Sequence, residues 1–202
     1  MRLLIIRHGE SEADILDVHE GRADFNLTEK GHAQAQAMAD YLKEHYTIHK
    51  IYASPLKRAF QTATHLSEAI GIPVITEEKL MEFNNGLIAG LSWKEADEKY
   101  PFVPDLPVHD SVYEQESKLE FRYRAEYILS KIIAENDTDS TVAIVSHGGM
   151  INQLYQAFLK LPVNSGMTFA TGDTGIHEWM IKGEERYILH SNNMTHITGV
   201  LS

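Results

Sequence analysis

Short apolar runs alternate with longer helix-forming stretches along this chain. RLLII (2–6) is continuous and rich in branched residues, the pattern of a strand buried on both faces. KIYAS (50–54), PVITE (73–77) and TVAIVS (141–146) repeat that pattern. The stretches between them carry helix formers and helix punctuation. Thr28 opens TEKGHAQAQAMADYLKEH. Ser54-Pro55, a capping side chain followed by a first-turn proline, opens LKRAFQTATHLSEAI, and Gly71 stops it. Ser92 with Glu95 fits a capping box for a short helix, and Ser117 with Glu120 fits one for a longer helix reaching about Asn136. MINQLYQAFLK reads as a last helix, and IHEWMI, RYILH and THITGV carry strand signals in the tail.

This order of strands and helices predicts an α/β fold, a three-layer α/β/α sandwich around a mostly parallel sheet. Residues 80 to 115 break the rhythm with Gly86, Gly90, Pro101, Pro104 and Pro107, which predicts a lid-like insertion in a single domain spanning 1–202. Repeats and low-complexity tracts are absent from the sequence. In open α/β sheets, ligand sites form beyond the carboxyl ends of the strands.

Two of the predicted strands end alike. LLII runs into Arg7-His8-Gly9, and VAIV runs into Ser146-His147-Gly148-Gly149. If these strands are parallel neighbours, both imidazoles point into one crevice. Glycine beside each histidine lets backbone N–H groups approach a ligand, and a helix after Gly149 adds its dipole. Arg58 lies on the first turns of the helix after YASPL. Taken singly, a strand-end histidine is usually a turn residue and Arg58 a solvated helix residue. Together, two arginines, two histidines and helix N-termini describe an oxyanion site, with phosphate the anion that fits it best.

Composition narrows the partners. The formal net charge of −11 over 202 residues disfavours nucleic acid and anionic membranes. A small phosphorylated substrate stays open, because salt screens distant charges over roughly 8 Å and a few local cations can prevail. The absence of cysteine removes thiolate metal sites. His45 and His49 lie four apart, but a polar helix end is the better reading there, and no metal or cofactor is expected. The run Leu3–Ile6 is too short for a signal or membrane segment, so a cytoplasmic location is the expectation.

Arg7-His8-Gly9-Glu10-Ser11 resembles the signature of the histidine phosphatase superfamily, which includes the cofactor-dependent phosphoglycerate mutases. The resemblance continues through GRADFNLTEKG (21–31), YASPLKRAFQTA (52–63), Glu82 with the glycines after it, and SHGG (146–149). It implies a phosphoglycerate mutase-like fold and a set of roles. His8 is the nucleophile that forms a phosphohistidine, with a nearby backbone carbonyl expected to hold its other nitrogen. Arg7, Arg58 and His147 surround the transferring group. Glu82 is the general acid and then the base for water. Ser11, Asp14, Gly21 and Gly148 belong to the expected substrate-binding set, and Asp173 and Thr174 are placed near it.

The resemblance also separates branches. Mutases of this family carry an adjacent arginine pair in a larger insertion, whereas here Arg122 and Arg124 are separated by Tyr123, and Glu82 is followed by Phe83-Asn84-Asn85. Glu116-Ser117 with Arg124 looks like the phosphatase branch. The expected function is therefore a metal-independent phosphomonoesterase for a small phosphorylated metabolite. A phosphoglycerate mutase and a non-catalytic phospho-ligand binder are the alternatives. Asp14 stands where the family usually has a phosphate-contacting asparagine, so its carboxylate must be paired, protonated or turned away, with Arg22 a candidate partner by sequence proximity alone, or else it meets a cationic or hydroxylated leaving group. Leu87, Ile88, Leu91, Trp93, Tyr100, Phe102 and Tyr113 make 87 to 113 unusually apolar, which predicts either local packing or a wall for an organic leaving group.

Overall fold

A computed structural model describes residues 1–198. The strands are β1 (Arg2–Arg7), β2 (Lys50–Ala53), β3 (Val74–Thr76), β4 (Thr141–Ser146), β5 (Ile176–Lys182) and β6 (Glu185–Asn193). The helices are α1 (Glu12–Leu16), α2 (Glu29–His45), α3 (Lys57–Ile70), α4 (Trp93–Lys99), α5 (Lys118–Ala134) and α6 (Gly148–Phe158). The sheet order is β3-β2-β4-β1-β5-β6. β1 to β4 are mutually parallel where they pair, and β5 and β6 add an antiparallel edge. The expected mostly parallel, three-layer α/β/α sandwich is what forms.

The side-chain period of the strands builds both interfaces. Leu3, Ile5, Val142, Ile144 and Trp179 face α5 and α6 in one core. Leu4, Ile6, Ile51, Ala53, Ala143 and Val145 face α2 and α3 in the other. Leu3 to Ile6 are all fully buried, so truncating any one of them to alanine would cost about 2–5 kcal/mol.

Local signals mostly meet their tertiary partners. Thr28 caps α2 by accepting from the Gly31 N–H, and the boxes at Ser92/Glu95 and Ser117/Glu120 both form. Gly71 ends α3 at φ 74°, in the left-handed region that glycine adopts freely. Two expectations are corrected. Ser54 does not cap α3, which starts at Lys57 after an extended Leu56, because the Ser54 hydroxyl is committed to His147 and to the Leu56 N–H. Thr195–Ile197 is a 3₁₀ turn rather than a strand, and the rest of THITGV from residue 199 lies outside the described residues. His45 and His49 serve separate tasks: one bonds the Tyr41 carbonyl, and the other accepts the Thr141 N–H.

A buried histidine ties the antiparallel edge to α6. The His177 ring contacts the Tyr155 hydroxyl at 2.7 Å and the Thr171 hydroxyl at 2.7 Å, and the Asn192 N–H donates to it at 3.0 Å. Burial pulls His177 down to about 4, and His196 likewise to about 4. Both rings are neutral in the fold but gain protons near about 6.5 once unfolded. Their stabilisation is complete above about pH 6.5 and declines as pH falls toward 4. The melting temperature is expected to drop across that window, with a shallower drop in His177→Asn. An identical pH dependence in variant and wild type would show that His177 plays no part.

Candidate active site

β1 and β4 are adjacent and parallel, with Arg7 opposite Ser146. His8 and His147 therefore leave the sheet side by side, with ring centroids 5.1 Å apart and planes tilted by 58°. Both are buried. His8 Nδ1 lies 2.8 Å from the Gly9 carbonyl oxygen, which can only accept, so Nδ1 carries the proton and Nε2 presents a lone pair. The expected backbone carbonyl is thus in place. Burial first, then the charges of Arg58 and Arg7, hold the His8 imidazole well below the ordinary histidine range, against an opposing contribution from the Gly9 bond.

Arg58 is fully buried at the start of α3. Its Nε–H donates to His8 Nε2 at 3.2 Å, and its terminal nitrogens donate to the carbonyls of Ala23 and Gly21 at 3.0 and 2.9 Å. Those two carbonyls fix the plane of the guanidinium. Gly21 sits at φ 47° with the Asn85 amide where a Cβ would lie, so only glycine brings its carbonyl to Arg58. Arg7 is held by the Thr171 carbonyl at 3.2 Å and by Asp173 at 3.4 Å. Thr174 donates its backbone N–H to the His8 carbonyl at 3.2 Å. Asp173 and Thr174 thus meet the site from behind, through Arg7 and the His8 backbone.

His147 Nε2 pairs with Ser54 Oγ at 2.8 Å, and its buried Nδ1 has no partner among the described residues. Burial, then the Arg58 charge, lowers its pKa far below the usual range. Glu82 reaches the head of α6: its carboxylate accepts from the Gly149 N–H at 2.8 Å and from the Phe83 N–H at 2.7 Å. A Cβ on Gly149 would stand 2.4 Å from Glu82 Oε1, so glycine is required for this approach. Gly9 has a different reason from the one expected. Its N–H already donates to Thr62, and a side chain there would strike the Gly31 carbonyl, so packing rather than ligand access demands glycine. Gly148 is the first residue of α6, and a Cβ there would make ordinary van der Waals contact with Thr171 and Arg7.

Two groups emerge that the sequence reading missed or placed elsewhere. Glu20 lies 3.7 Å from His8 Nε2 and 3.4 Å from Arg58 Nε, inside the constellation. Its only sequence signal is that it precedes Gly21, whose carbonyl must reach Arg58. Asp14 is not paired with Arg22: its Oδ2 accepts from the Ser11 N–H at 2.8 Å and lies 3.1 Å from Ser11 Oγ, as the capping box of the short α1. Arg22 instead turns toward Glu116 and the Glu82 carbonyl. Arg124, on α5, donates to the carbonyls of Lys79 and Met81 at 2.9 Å each and of Glu82 at 3.1 Å, while pairing doubly with Glu116. Glu116 in turn accepts from the Asn84 N–H at 2.6 Å, and its own N–H donates to the Asn84 carbonyl at 3.0 Å. One guanidinium therefore fixes the Glu82 segment, and one backbone pair closes the loop from 84 to 116.

These groups describe a largely buried anion pocket around one unprotonated imidazole nitrogen, with a carboxyl group facing it. Residues 3–194 match the sequence model of the histidine phosphatase superfamily (branch 1). The chain is 28% identical over 201 residues to phosphoserine phosphatase 1 of Hydrogenobacter thermophilus, covering 96% of this chain and 93% of the relative. It is 30% identical over 188 residues to the glucosyl-3-phosphoglycerate phosphatase of Mycobacterium tuberculosis, covering 88% and 83%. A solved structure of the mycobacterial glucosyl-3-phosphoglycerate phosphatase in complex with VO3 superposes with a TM-score of 0.83 at 27% identity, covering 95% of this chain and 98% of that one. This chain belongs to the histidine phosphatase superfamily and is a phosphatase. Among the described residues, no helix is long and apolar enough to cross a membrane.

The Gly149 contact gives a direct test of the seat of Glu82. Gly149→Ala is expected to push the carboxylate off the α6 head and to lower turnover of an aryl phosphate by about a hundredfold, the scale of a misplacement near 1 Å. The circular dichroism spectrum should stay that of wild type. Undiminished turnover would mean that the seat of Glu82 is immaterial.

Proposed function

We propose that this chain is a metal-independent phosphomonoesterase that works through a phosphohistidine on His8 and serves a small phosphorylated metabolite. The observation that carries the reading is the His8 imidazole itself. Nδ1 is pinned by the Gly9 carbonyl, and the free Nε2 lies 3.2 Å from a buried arginine. In the first step Nε2 bonds to phosphorus as the ester oxygen leaves with its electron pair. Glu82 gives that oxygen a proton. Arg58, Arg7 and His147 stabilise the charge on the equatorial oxygens, and the Gly148 N–H at the α6 head adds to them. In the second step Glu82 takes a proton from water, the water oxygen bonds to phosphorus, and inorganic phosphate leaves His8. Gly21 serves the anion through Arg58, and Ser11 and Asp14 border the same pocket. The fixed arginines supply the positive charge that a divalent cation provides in other phosphatases.

Hydrolysis is favoured over transfer to a second phosphoacceptor. The mutase-type arginine pair has no counterpart in this sequence, and Arg122 is turned to Glu126 and to the carbonyls of Gln156 and Leu161. Residues 84 to 116 act as the specificity lid. They enclose a cavity of about 630 Å³ lined by Ile88, Tyr100, Phe102 and Tyr113, which suits an organic leaving group. His19 and Phe83 border both this cavity and the mouth that holds Glu20 and Glu82, so the two spaces adjoin. A cytoplasmic setting, with no nucleic acid or membrane partner, goes with this chemistry and the acidic balance of the sequence.

The test is phosphate release from an aryl phosphate without added metal. Wild type should release phosphate and His8→Ala should not. Equal release by both would reject the phosphohistidine. The acid limb of kcat/KM offers a second check. His8 attacks only when unprotonated, and its pKa is lowered, so activity should persist as pH falls below the ordinary histidine value of about 6.5. An acid limb at or above that value would contradict the buried environment of His8.

A further inference from the structure

Glu20 is an acidic group inside an anion pocket, and the mechanism above makes no use of it. Its Oε2 faces both His8 Nε2 at 3.7 Å and Arg58 Nε at 3.4 Å. A phosphoryl group on Nε2 would place its oxygens against that carboxyl oxygen. The other Glu20 oxygen is hydrogen-bonded to Ser11 Oγ, and the same hydroxyl lies 3.1 Å from Asp14 Oδ2. Ser11 is fully buried, so no solvent intervenes.

Counting protons makes this chain informative. The Ser11 hydroxyl has one hydrogen, yet it stands between two carboxyl groups that have none when ionised. Satisfying both contacts takes one more proton. Asp14 Oδ2 already accepts the Ser11 N–H and belongs to the α1 cap, which needs an acceptor there. The extra proton therefore belongs on Glu20, running Glu20 Oε1–H to Ser11 Oγ and Ser11 O–H to Asp14. Burial, reinforced by the Asp14 charge, acts in the same direction, against the charges of Arg58 and Arg7 and the hydrogen bond that Ser11 gives an ionised Glu20.

Resting on the reading of His8 and Arg58 as the phosphoryl site, we infer that Glu20 is a specificity-determining residue of that site. Held neutral by Ser11 and Asp14, it admits the dianion; ionised, it competes with the dianion for Arg58. Anion binding is then coupled to one proton on Glu20. The charged and titratable groups facing Glu20 are Arg58 from α3, His8 and Arg7 from the end of β1, and Asp14 from α1; Glu82 and His19 line the same mouth. His8 stays neutral throughout the neutral range, because burial and the arginines lower its pKa.

Tungstate is a suitable probe, since it remains a dianion across neutral pH and is not turned over. Its Kd would be measured calorimetrically from about pH 5 to about pH 9, a range above the ordinary glutamate pKa. In wild type, Kd is expected to be flat at the acid end and then to weaken by up to tenfold per pH unit, the limit for one linked proton. Glu20→Gln should give a pH-independent Kd close to the acid-end value of wild type. Asp14→Asn can donate to Ser11 and frees its hydroxyl for an ionised Glu20, so the wild-type midpoint should move to lower pH. Glu82→Gln should keep the wild-type slope. A flat wild-type profile, a slope that survives Glu20→Gln, or a slope lost in Glu82→Gln would each overturn the inference while leaving the phosphoryl site standing. No tungstate binding at any pH would overturn both.

Discussion

The parallel pairing of β1 with β4 is the constraint on which the remaining geometry depends. It sets Arg7 opposite Ser146, and so delivers two imidazoles from chain positions far apart to one point above the sheet. A one-residue slip in that ladder would turn the buried faces of both strands over. Leu3–Ile6 and Val142–Val145 are buried on both faces, so such a slip would have to repack two close-packed cores at once. Register is thus fixed by hydrophobic burial, and the site inherits its precision from the core rather than from its own weak polar contacts.

Around that point, the polar groups are organised by backbone carbonyls. Gly9 sets the His8 tautomer, Ala23 and Gly21 set the Arg58 plane, Thr171 steadies Arg7, and the carbonyls of Lys79, Met81 and Glu82 converge on Arg124. Carbonyls orient cations without neutralising them, so the positive charge stays available to an incoming anion. Glu116 on Arg124, Asp173 on Arg7 and Glu20 on Arg58 are the exceptions, and burial raises the pKa of the last two.

How far the sequence could be read follows from this division. His8, His147 and Arg58 were legible because strand ends and a helix start fix their positions, and local chemistry announces both. The capping boxes at Ser92 and Ser117 were legible for the same reason: their partners are three residues away. Ser54 shows the limit, since its side chain had a plausible local task and a tertiary partner, His147, took it instead. Glu20 was hidden because it reaches Arg58 through a polar loop that turns back after Asp17, at φ 53°, with no periodic signal. Arg124 carried a family signal, but its convergence on three carbonyls depends on how α5 docks, which no spacing reveals.

The mutual bonds of Asn84 and Glu116 also bear on how such a protein can change. They join the two ends of a loop of about thirty residues, so the chain between them is closed at its base before it reaches the cavity. For a loop of that length, the entropy of closure grows only with the logarithm of its size, about 0.6 kcal/mol for each doubling. Residues can be added to or removed from its middle at little thermodynamic cost, while Arg124 keeps Glu82 where it is. The chemical centre and the surface that selects a leaving group are therefore separable inheritances, free to diverge at different rates within one fold.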